Sequence, residues 1–179
     1  MLEQQFSKDR SMHSKDEKWV KNLAKIYKVR IDTLDDQMAC TTLKQRVDIV
    51  PVPLALAQPA SESGWGTSRF AQQGNNLFGQ WCFIEGCGLV PARRSKGTTH
   101  EVASFNSVEE SIAYYILNLN TLMAYQPLRT IRREHREEGK DLTAAALAAG
   151  LINYSERGED YVEDIKTLIR INKPLMLNQ

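Results

Sequence analysis

The sequence predicts a single domain that is mostly α-helical and carries one small β-hairpin, an α+β fold. Its 179 residues fit one domain of ordinary size, and no repeat or linker divides them. Apolar residues recur with helical spacing towards both ends of the chain, whereas residues 80–105 contain three glycines and a proline that interrupt the pattern. Hydrophobic residues make up 42% and charged residues 25%, as is usual for a globular protein.

Two helices are predicted before residue 50. The first places its apolar residues at i, i+4, i+7 and i+8, which is one helical face; these residues are Trp19, Leu23, Ile26 and Tyr27. Residues 35–49 form the second predicted helix, and Asp35 and Asp36 stand at its start, where acidic side chains are favourable.

A third helix is predicted from Pro51 to Glu62, because proline is tolerated in the first turn. Pro59 lies inside this helix and removes one backbone donor, so we expect a kink there. Gly64 and Gly66 then end the helix just beyond Glu62. Residues 67–73 are predicted to form a short helix that Gly74 closes.

The segment from Gln80 to Phe105 is predicted to form a loop and the β-hairpin. Residues 98–105 include several β-favouring side chains, and the turn of the hairpin is expected near Ser95–Thr98.

Helical patterns return after residue 106. Ser107 and Glu110 form a capping-box signature, followed by an apolar face of Val108, Ile112, Tyr115, Ile116, Leu119 and Met123. Further helices are predicted from Pro127 to about Glu138, over residues 141–149 and over residues 159–172. The last helix has Tyr161, Ile165, Leu168 and Ile169 on one side.

The charge balance argues against nucleic acid as a partner. Lys and Arg number 23 against 22 Asp and Glu, for a formal net charge of +1, and polyphosphate binders are usually more basic. The basic segment LRTIRREHR, residues 128–136, has Glu134 within it and Glu137 and Glu138 after it. It therefore predicts a solvated, self-paired helix face.

The sequence has no run of about 18 apolar residues, so no membrane span is predicted.

The cysteines leave two readings open. Cys82 and Cys87 are five residues apart in CFIEGC, whereas Cys40 is distant. They are either unpaired thiols in a loop or a small disulfide ring, and an exported protein favours the disulfide. The three histidines are scattered and give no Cys/His spacing typical of a metal site, so no metal is expected.

Glu62 is the candidate for acid catalysis. Glycoside hydrolysis requires a carboxylic acid that protonates the leaving oxygen, and partial burial keeps that proton in place. In ASESGWG, Glu62 ends a hydrophobic helix, and glycines and Trp65 follow it. The alternative is a solvated glutamate at a helix end.

Two further segments supply candidate binding residues. NNLFG at residues 75–79 suits a tight turn and is followed by Gln80 and Trp81. Trp81 either stacks on a sugar ring or belongs to the core, and Phe78 is expected to anchor the loop. Tyr154, in NYSERGEDYV, has an apolar ring with a hydroxyl at its tip, while Tyr161 suits a core position better.

These segments, in this order, resemble the bacterial glucosaminidase domain, the endo-β-N-acetylglucosaminidase family that includes the flagellar peptidoglycan hydrolase and many autolysins. The resemblance rests on ASESGWG, NNLFG, a hairpin, SVEESI and a tyrosine before a YV helix, and covers about residues 15–176. It implies a lysozyme-like α fold with a groove between helices and hairpin, no cofactor, and the glycan strands of peptidoglycan as substrate.

The resemblance also implies roles for individual residues. The catalytic glutamate of the family falls on Glu62 and its active-site tyrosine on Tyr154. Its aromatic groove position falls on Trp81 or Phe78, and Asn76 and Trp65 complete the candidate substrate-binding set.

Two departures from the family bear on mechanism. Pro59 stands where alanine is more usual, and the hairpin strand LVPARRSK lacks the second carboxylate that members often have. Glu101 on the returning strand and Glu85 in the cysteine loop are the alternatives. With one clear acid, the substrate's own 2-acetamido group is favoured as nucleophile, whereas Glu101 as a base would give inversion.

Two other functions remain open at this point. A lytic transglycosylase uses one glutamate on a similar fold, and a wall-binding module would keep the groove without the chemistry. Residues 1–14 are expected to be a flexible N-terminal stub and residues 15–179 the glucosaminidase domain. The polar residues 1–18 contain no signal peptide, so the family's location, the periplasm or cell envelope, is expected with the signal absent.

Overall fold

The computed structural model describes residues 14–33, 36–92, 97 and 99–177. Within these residues the chain forms eight α-helices, two single-turn 3₁₀ helices and one three-stranded sheet. The elements are α1 Ser14–Ile26, α2 Gln37–Arg46, α3 Val52–Glu62, α4 Arg69–Gly74, β1 Trp81–Cys82, β2 Gly88–Leu89, β3 Glu101–Ala103, α5 Val108–Thr121, the 3₁₀ turn Met123–Tyr125, α6 Gln126–Glu137, α7 Ala144–Ala148, the 3₁₀ turn Ala149–Leu151, and α8 Glu159–Leu177. The predicted fold class, mostly α with a small β part, is confirmed.

The main core lies between α3, α5, α6, α7 and α8. Helix α3 packs against α8 and α7, and α6 packs against the 3₁₀ turn 149–151. The buried residues of this core are Leu54, Ala57, Phe78, Tyr115, Leu119, Leu128, Ala144, Leu147, Ala148, Leu151, Tyr161, Val162, Ile165 and Ile169. Since α3 lies in the middle of this core, the residue at its end is held on a rigid element.

The buried face of α1 agrees only in part with the predicted one: Leu23 and Tyr27 pack against the N-terminal cluster as expected. Val20 and Ala24 are buried against Leu43 of α2, whereas Trp19 and Ile26 are largely exposed. The contact between α1 and α2 is therefore centred on Val20 and Ala24, which lie between the larger predicted residues. The predicted stub, residues 1–14, lies outside the described residues apart from Ser14, where α1 begins.

The helix ends follow local capping. Asp36, Ser68, Ser107 and Thr143 are N-caps whose side chains accept a backbone N–H three residues later. Helix α2 is thus shorter than predicted, and Asp35 lies outside the described residues. Helices α5 and α7 also end earlier than expected, whereas α8 extends through Pro174 to Leu177. Helix α3 continues through Pro59 to Glu62.

The β part is a three-stranded antiparallel sheet of order β1-β3-β2, not a single hairpin. Trp81 pairs with Val102 and Cys82 with Glu101 on one side of β3, and Leu89 pairs with Val102 on the other. The additional strand β1 was missed because two residues carry no detectable period. The turn predicted at Ser95–Thr98 falls largely outside the described residues.

The structure pairs Cys82 and Cys87 in a disulfide with a Cα–Cα distance of 6.2 Å. It closes the loop 83–86 between β1 and β2, while Cys40 is buried in α2. Of the two readings of CFIEGC, the structure therefore contains the ring.

The basic helix α6 is a solvated, self-paired face only in part: Arg133 pairs with Glu134 and Glu137 on the surface, but two other arginines are buried. Arg129 and Arg132 are 2% and 1% exposed. Arg129 donates to the carbonyls of Leu119 and Leu122, at the end of α5. Arg132 donates to the carbonyls of Gln45 and Ile49 and lies 3.4 Å from the Asp48 carboxylate; it also binds Asn120. These arginines therefore close helix ends inside the fold.

None of the described helices has the length and apolar character needed to cross a membrane.

Candidate active site

A cleft of about 880 Å³ runs between α3, the loop before β1, α5 and the segment before α8. Glu62 lies in it, together with aromatic, amide and charged side chains. The residues that line it are Lys28, Glu62, Phe78, Gly79, Gln80, Trp81, Phe83, Tyr114, Tyr115, Asn118, Leu119, Leu122, Tyr125, Asn153, Tyr154, Ser155, Glu156 and Arg157. An elongated, aromatic-rich groove of this kind suits an oligosaccharide.

Helix α3 ends at Glu62 because the following residues turn left-handed. Gly64, Trp65 and Gly66 have φ values of 56°, 58° and 79°. The N–H of Trp65 returns to the carbonyl of Ala60 at 2.9 Å and closes the helix end. Glycine adopts this conformation without steric cost, so GWG stops the helix where Glu62 reaches the cleft.

Partial burial is the main influence on the Glu62 carboxyl. It raises the pKa of Glu62 above the ordinary value of 4.5, while a side-chain hydrogen bond with Tyr161 and the charge of Arg157 oppose the rise. Burial disfavours the ionised form because the charge loses its water. The carboxyl therefore retains a proton to higher pH than a solvated glutamate, as a general acid requires.

Tyr154 lies beside Glu62 and holds the loop that faces it. Its hydroxyl donates to the carbonyl of Phe78 at 2.9 Å. A Cβ placed on the next residue, Gly79, would lie 3.5 Å from Oε2 of Glu62, so this loop passes directly over the acid. Burial, and then Tyr161, raise the pKa of Tyr154 well above its ordinary value, and the hydroxyl stays neutral.

Trp81 is an exposed platform and not a core residue. It is 54% exposed, lines the cleft and stacks on His100 with ring centroids 4.0 Å apart and an interplanar angle of 15°. His100 covers one face of the indole, and more than half of the Trp81 surface remains exposed. Phe83, in the disulfide loop, lines the cleft beside it.

Of the other predicted binding residues, Phe78 lines the cleft, whereas Asn76 and Trp65 do not. Phe78 is buried and stacks on Tyr115, so it touches the cleft from the core. Asn76 is 1% exposed, and its amide makes four hydrogen bonds to the backbone of the loop and β3. Trp65 is 66% exposed and lines a separate cavity with Leu175 and other apolar residues. Asn76 and Trp65 are therefore not part of the cleft.

Glu101 does not lie in the cleft either. Side chains alternate along a strand, so Glu101 points to the face opposite that of Val102, the partner of Trp81. Its carboxylate accepts the N–H groups of Gly86 and Gly88 at 3.1 and 2.8 Å. It thus supports the disulfide loop and lacks the access to water that a catalytic base needs.

One group of potential metal ligands occurs among the described residues. The grouping with ligand atoms close together consists of Cys82, Cys87 and Glu101. The two sulfurs are joined to each other and the carboxylate binds backbone N–H groups, so this arrangement serves the loop and does not resemble a metal site.

The structure adds residues to the site that the sequence did not indicate. Tyr161, predicted as core, is buried yet interacts with Glu62 and lowers the pKa of that carboxyl, and Gln58 donates a hydrogen bond to the Tyr161 hydroxyl. Tyr125 lines the cleft between Glu62 and Tyr154. Glu156 and Arg157 line it as well, and their adjacency to Tyr154 in NYSERG is the signal that could have identified them.

A partly buried acid beside a tyrosine, in a cleft with an aromatic platform, is the arrangement of a glycoside hydrolase. The sequence profile of the glucosaminidase family, described as mannosyl-glycoprotein endo-beta-N-acetylglucosaminidase, matches residues 38–174. The chain belongs to this family, and the resemblance predicted from its motifs is confirmed.

Two relatives give more detail. Over 157 residues the chain is 36% identical to Protein bax of Escherichia coli strain K12, an alignment that covers 88% of this chain and 56% of the relative. The chain spans about half the length of this curated relative. A solved structure, the C-terminally truncated glycoside hydrolase domain of FlgJ from Salmonella typhimurium, aligns with a TM-score of 0.49 and 20% identity and covers 88% of this chain and 97% of that one.

Proposed function

We propose that this protein hydrolyses the β-1,4 bond that follows N-acetylglucosamine in the glycan strands of peptidoglycan. The observation that carries the proposal is the position of Glu62, whose carboxyl is partly buried in the cleft and has a raised pKa. Family membership supports an endo-β-N-acetylglucosaminidase activity. The cell envelope is then the place of action, and the Cys82–Cys87 disulfide suits an oxidising compartment there.

Glu62 acts as the general acid in this proposal. Its proton passes to the glycosidic oxygen, the bond from that oxygen to C1 breaks, and the leaving sugar departs with a hydroxyl group. The ionised Glu62 later accepts a proton from the incoming water, which restores the acid. Trp81 offers its open face to the apolar C–H face of a pyranose ring, where aromatic stacking is favourable.

The substrate's 2-acetamido group is the favoured nucleophile. Its carbonyl oxygen attacks C1, and water then opens the cyclic intermediate with net retention. Because the proton of the Tyr154 hydroxyl is donated to Phe78, the lone pairs of its oxygen remain to accept the acetamido N–H. Among the described residues the carboxylates that line the cleft are Glu62 and Glu156, so Glu156 replaces Glu101 as the alternative base for an inverting route.

The product of peptidoglycan digestion tests the proposal. Borohydride-reduced fragments should end in reducible N-acetylglucosamine, because water completes the reaction. Mass spectrometry of the fragments distinguishes these ends from the unreducible anhydro-muramic ends of a lytic transglycosylase, which would disprove hydrolysis. Fragments absent altogether would point to a wall-binding module. Proton NMR of the first-formed anomer then separates retention from inversion. If the anomer is inverted and Glu156→Gln loses activity, Glu156 is the catalytic base.

Tyr154→Phe should lower kcat/KM about fivefold or more while the protein stays folded. The substitution removes only the hydroxyl, and one hydrogen bond is worth about 1 kcal/mol, which corresponds to about that factor in rate. Turnover of purified peptidoglycan by equal amounts of folded protein measures the effect. Tyr27→Phe is the control, because Tyr27 packs in the small N-terminal cluster and should keep full activity. An unaltered rate in Tyr154→Phe would leave Tyr154 a packing residue only.

A further inference from the structure

Gln58 lies on α3 one helical turn before Glu62 and is fully buried. An uncharged amide in the core requires partners for both of its ends. Its Nε2 donates to the hydroxyl oxygen of Tyr161 at 3.0 Å, and its Oε1 accepts the hydroxyl proton of Tyr115. The Tyr161 hydroxyl also interacts with the Glu62 carboxyl, and this interaction lowers the pKa of Glu62 against the effect of burial. Gln58, Tyr115 and Tyr161, from α3, α5 and α8, thus form a chain of hydrogen bonds next to the acid.

The direction of these bonds follows from the number of protons. A tyrosine hydroxyl has one proton to donate. Since the Tyr161 oxygen accepts from Gln58, its proton is left for Glu62, and the Tyr115 hydroxyl keeps the Gln58 amide in the orientation that presents the NH₂ group to Tyr161. We propose that Gln58 is a positioning residue, which fixes the Tyr161 hydroxyl so that its proton points at the Glu62 carboxylate.

This arrangement suits an acid that must both hold and release a proton, and it rests on the proposed role of Glu62. Burial keeps the proton on Glu62, whereas a hydrogen bond donated by Tyr161 stabilises the carboxylate that forms when the proton leaves. The titratable and charged groups that interact with Glu62 are Tyr125, Tyr154, Arg157 and Tyr161. Raised pKa values keep the three tyrosines neutral, and Arg157 is exposed and paired with Asp164 at 2.6 Å.

The test is a ¹³C NMR titration of the Glu62 carboxyl in the protein without substrate, with Glu62→Gln used to assign the resonance. Tyr161→Phe removes the donor to the carboxylate, so the pKa of Glu62 should rise. Gln58→Met has nearly the same shape and makes neither hydrogen bond, so the pKa should rise by a smaller amount. The alkaline limb of the kcat/KM profile, which reports the acid, should move to higher pH in the same order.

A double-mutant cycle separates positioning from burial. If Gln58 acts through Tyr161, adding Gln58→Met to Tyr161→Phe should leave the pKa of Glu62 where Tyr161→Phe alone places it. Asn120→Leu is the matched control: Asn120 is also a buried amide with two partners, Asp48 and Arg132, but lies outside the cleft. Its variant should lose stability and leave the Glu62 titration unchanged.

An unchanged Glu62 titration in Gln58→Met, or a shift that persists in the Tyr161→Phe background, would overturn the proposal. Should Gln58→Met not fold, Tyr115→Phe tests the same chain one link further away, and there too the pKa should rise. The titration is independent of turnover. Failure of the proposed function would instead appear as an active Glu62→Gln enzyme, so the two failures are distinguishable.

Discussion

Glu62→Gln should reduce the hydrolysis of purified peptidoglycan by at least about 10²–10⁴-fold, the usual contribution of general acid catalysis. Glutamine retains the shape of the side chain and its place in the cleft but has no proton to transfer. Turbidity loss and the release of reducible fragments measure the effect. Glu163→Gln is the matched control, because Glu163 is an exposed glutamate of α8 that pairs with Lys166, and its replacement should leave the rate unchanged. Near-normal activity of the Glu62 variant would remove this residue from the mechanism.

The same variant should be at least as stable as the parent protein at neutral pH. Because the pKa of Glu62 is raised on folding, the folded protein retains a proton that the unfolded chain loses. The stability of the parent protein therefore falls as the pH rises from the ordinary value of 4.5 through the folded value. Glutamine does not ionise, so the advantage of the variant should be absent below that window and present above it. Urea denaturation at several pH values measures it.

Gly150→Ala should lower the free energy of unfolding by at least about 3 kcal/mol, the upper part of the range for overpacking. A Cβ at Gly150 would lie 2.2 Å from Cα and 2.5 Å from the backbone N of Leu128. Those atoms belong to the backbone of the first turn of α6, which cannot shift without disturbing the core around Leu128. The 3₁₀ turn 149–151 therefore packs against α6 only because residue 150 lacks a side chain.

The control for Gly150→Ala is Gly74→Ala at the end of α4. There the nearest atom to a new Cβ is the side-chain oxygen of Ser104 at 3.1 Å, which can move. Thermal or urea denaturation should show a much smaller loss for this variant. Equal losses in the two variants would mean that the helix backbone of α6 adjusts around residue 150, contrary to the expected effect.

Features whose causes lie within a few residues could be predicted from the sequence. Helix α6 begins beside Pro127 and stops before Gly139, as its breakers indicated. Ser107 caps α5, although Glu110 binds the backbone N–H of Asn106 instead of completing the capping box. The end of α3 beyond Glu62 was equally local, because the glycines at positions 64 and 66 adopt the left-handed conformation without steric cost.

Features that depend on distant partners could not be predicted in this way. Arg132 is buried because the carbonyls of Gln45 and Ile49 and the carboxylate of Asp48 surround it, and nothing in LRTIRREHR indicates them. Glu101 resembled a candidate base in the sequence. Strand register decided its face, and the N–H groups of the disulfide loop occupied its oxygens.

The sequence by itself determined the fold class, the family and the candidate acid Glu62, because these rest on periodicity, on glycine positions and on the order of short motifs. Only the tertiary structure decided which side chains accompany that acid. Tyr161 was predicted as a core residue, and Gln58 was not singled out; both are buried, and the packing of α3 against α8 joins their polar atoms in a hydrogen bond next to Glu62. The physical reason is that a buried polar group must find a partner, and folding chooses that partner from segments about 100 residues apart in sequence.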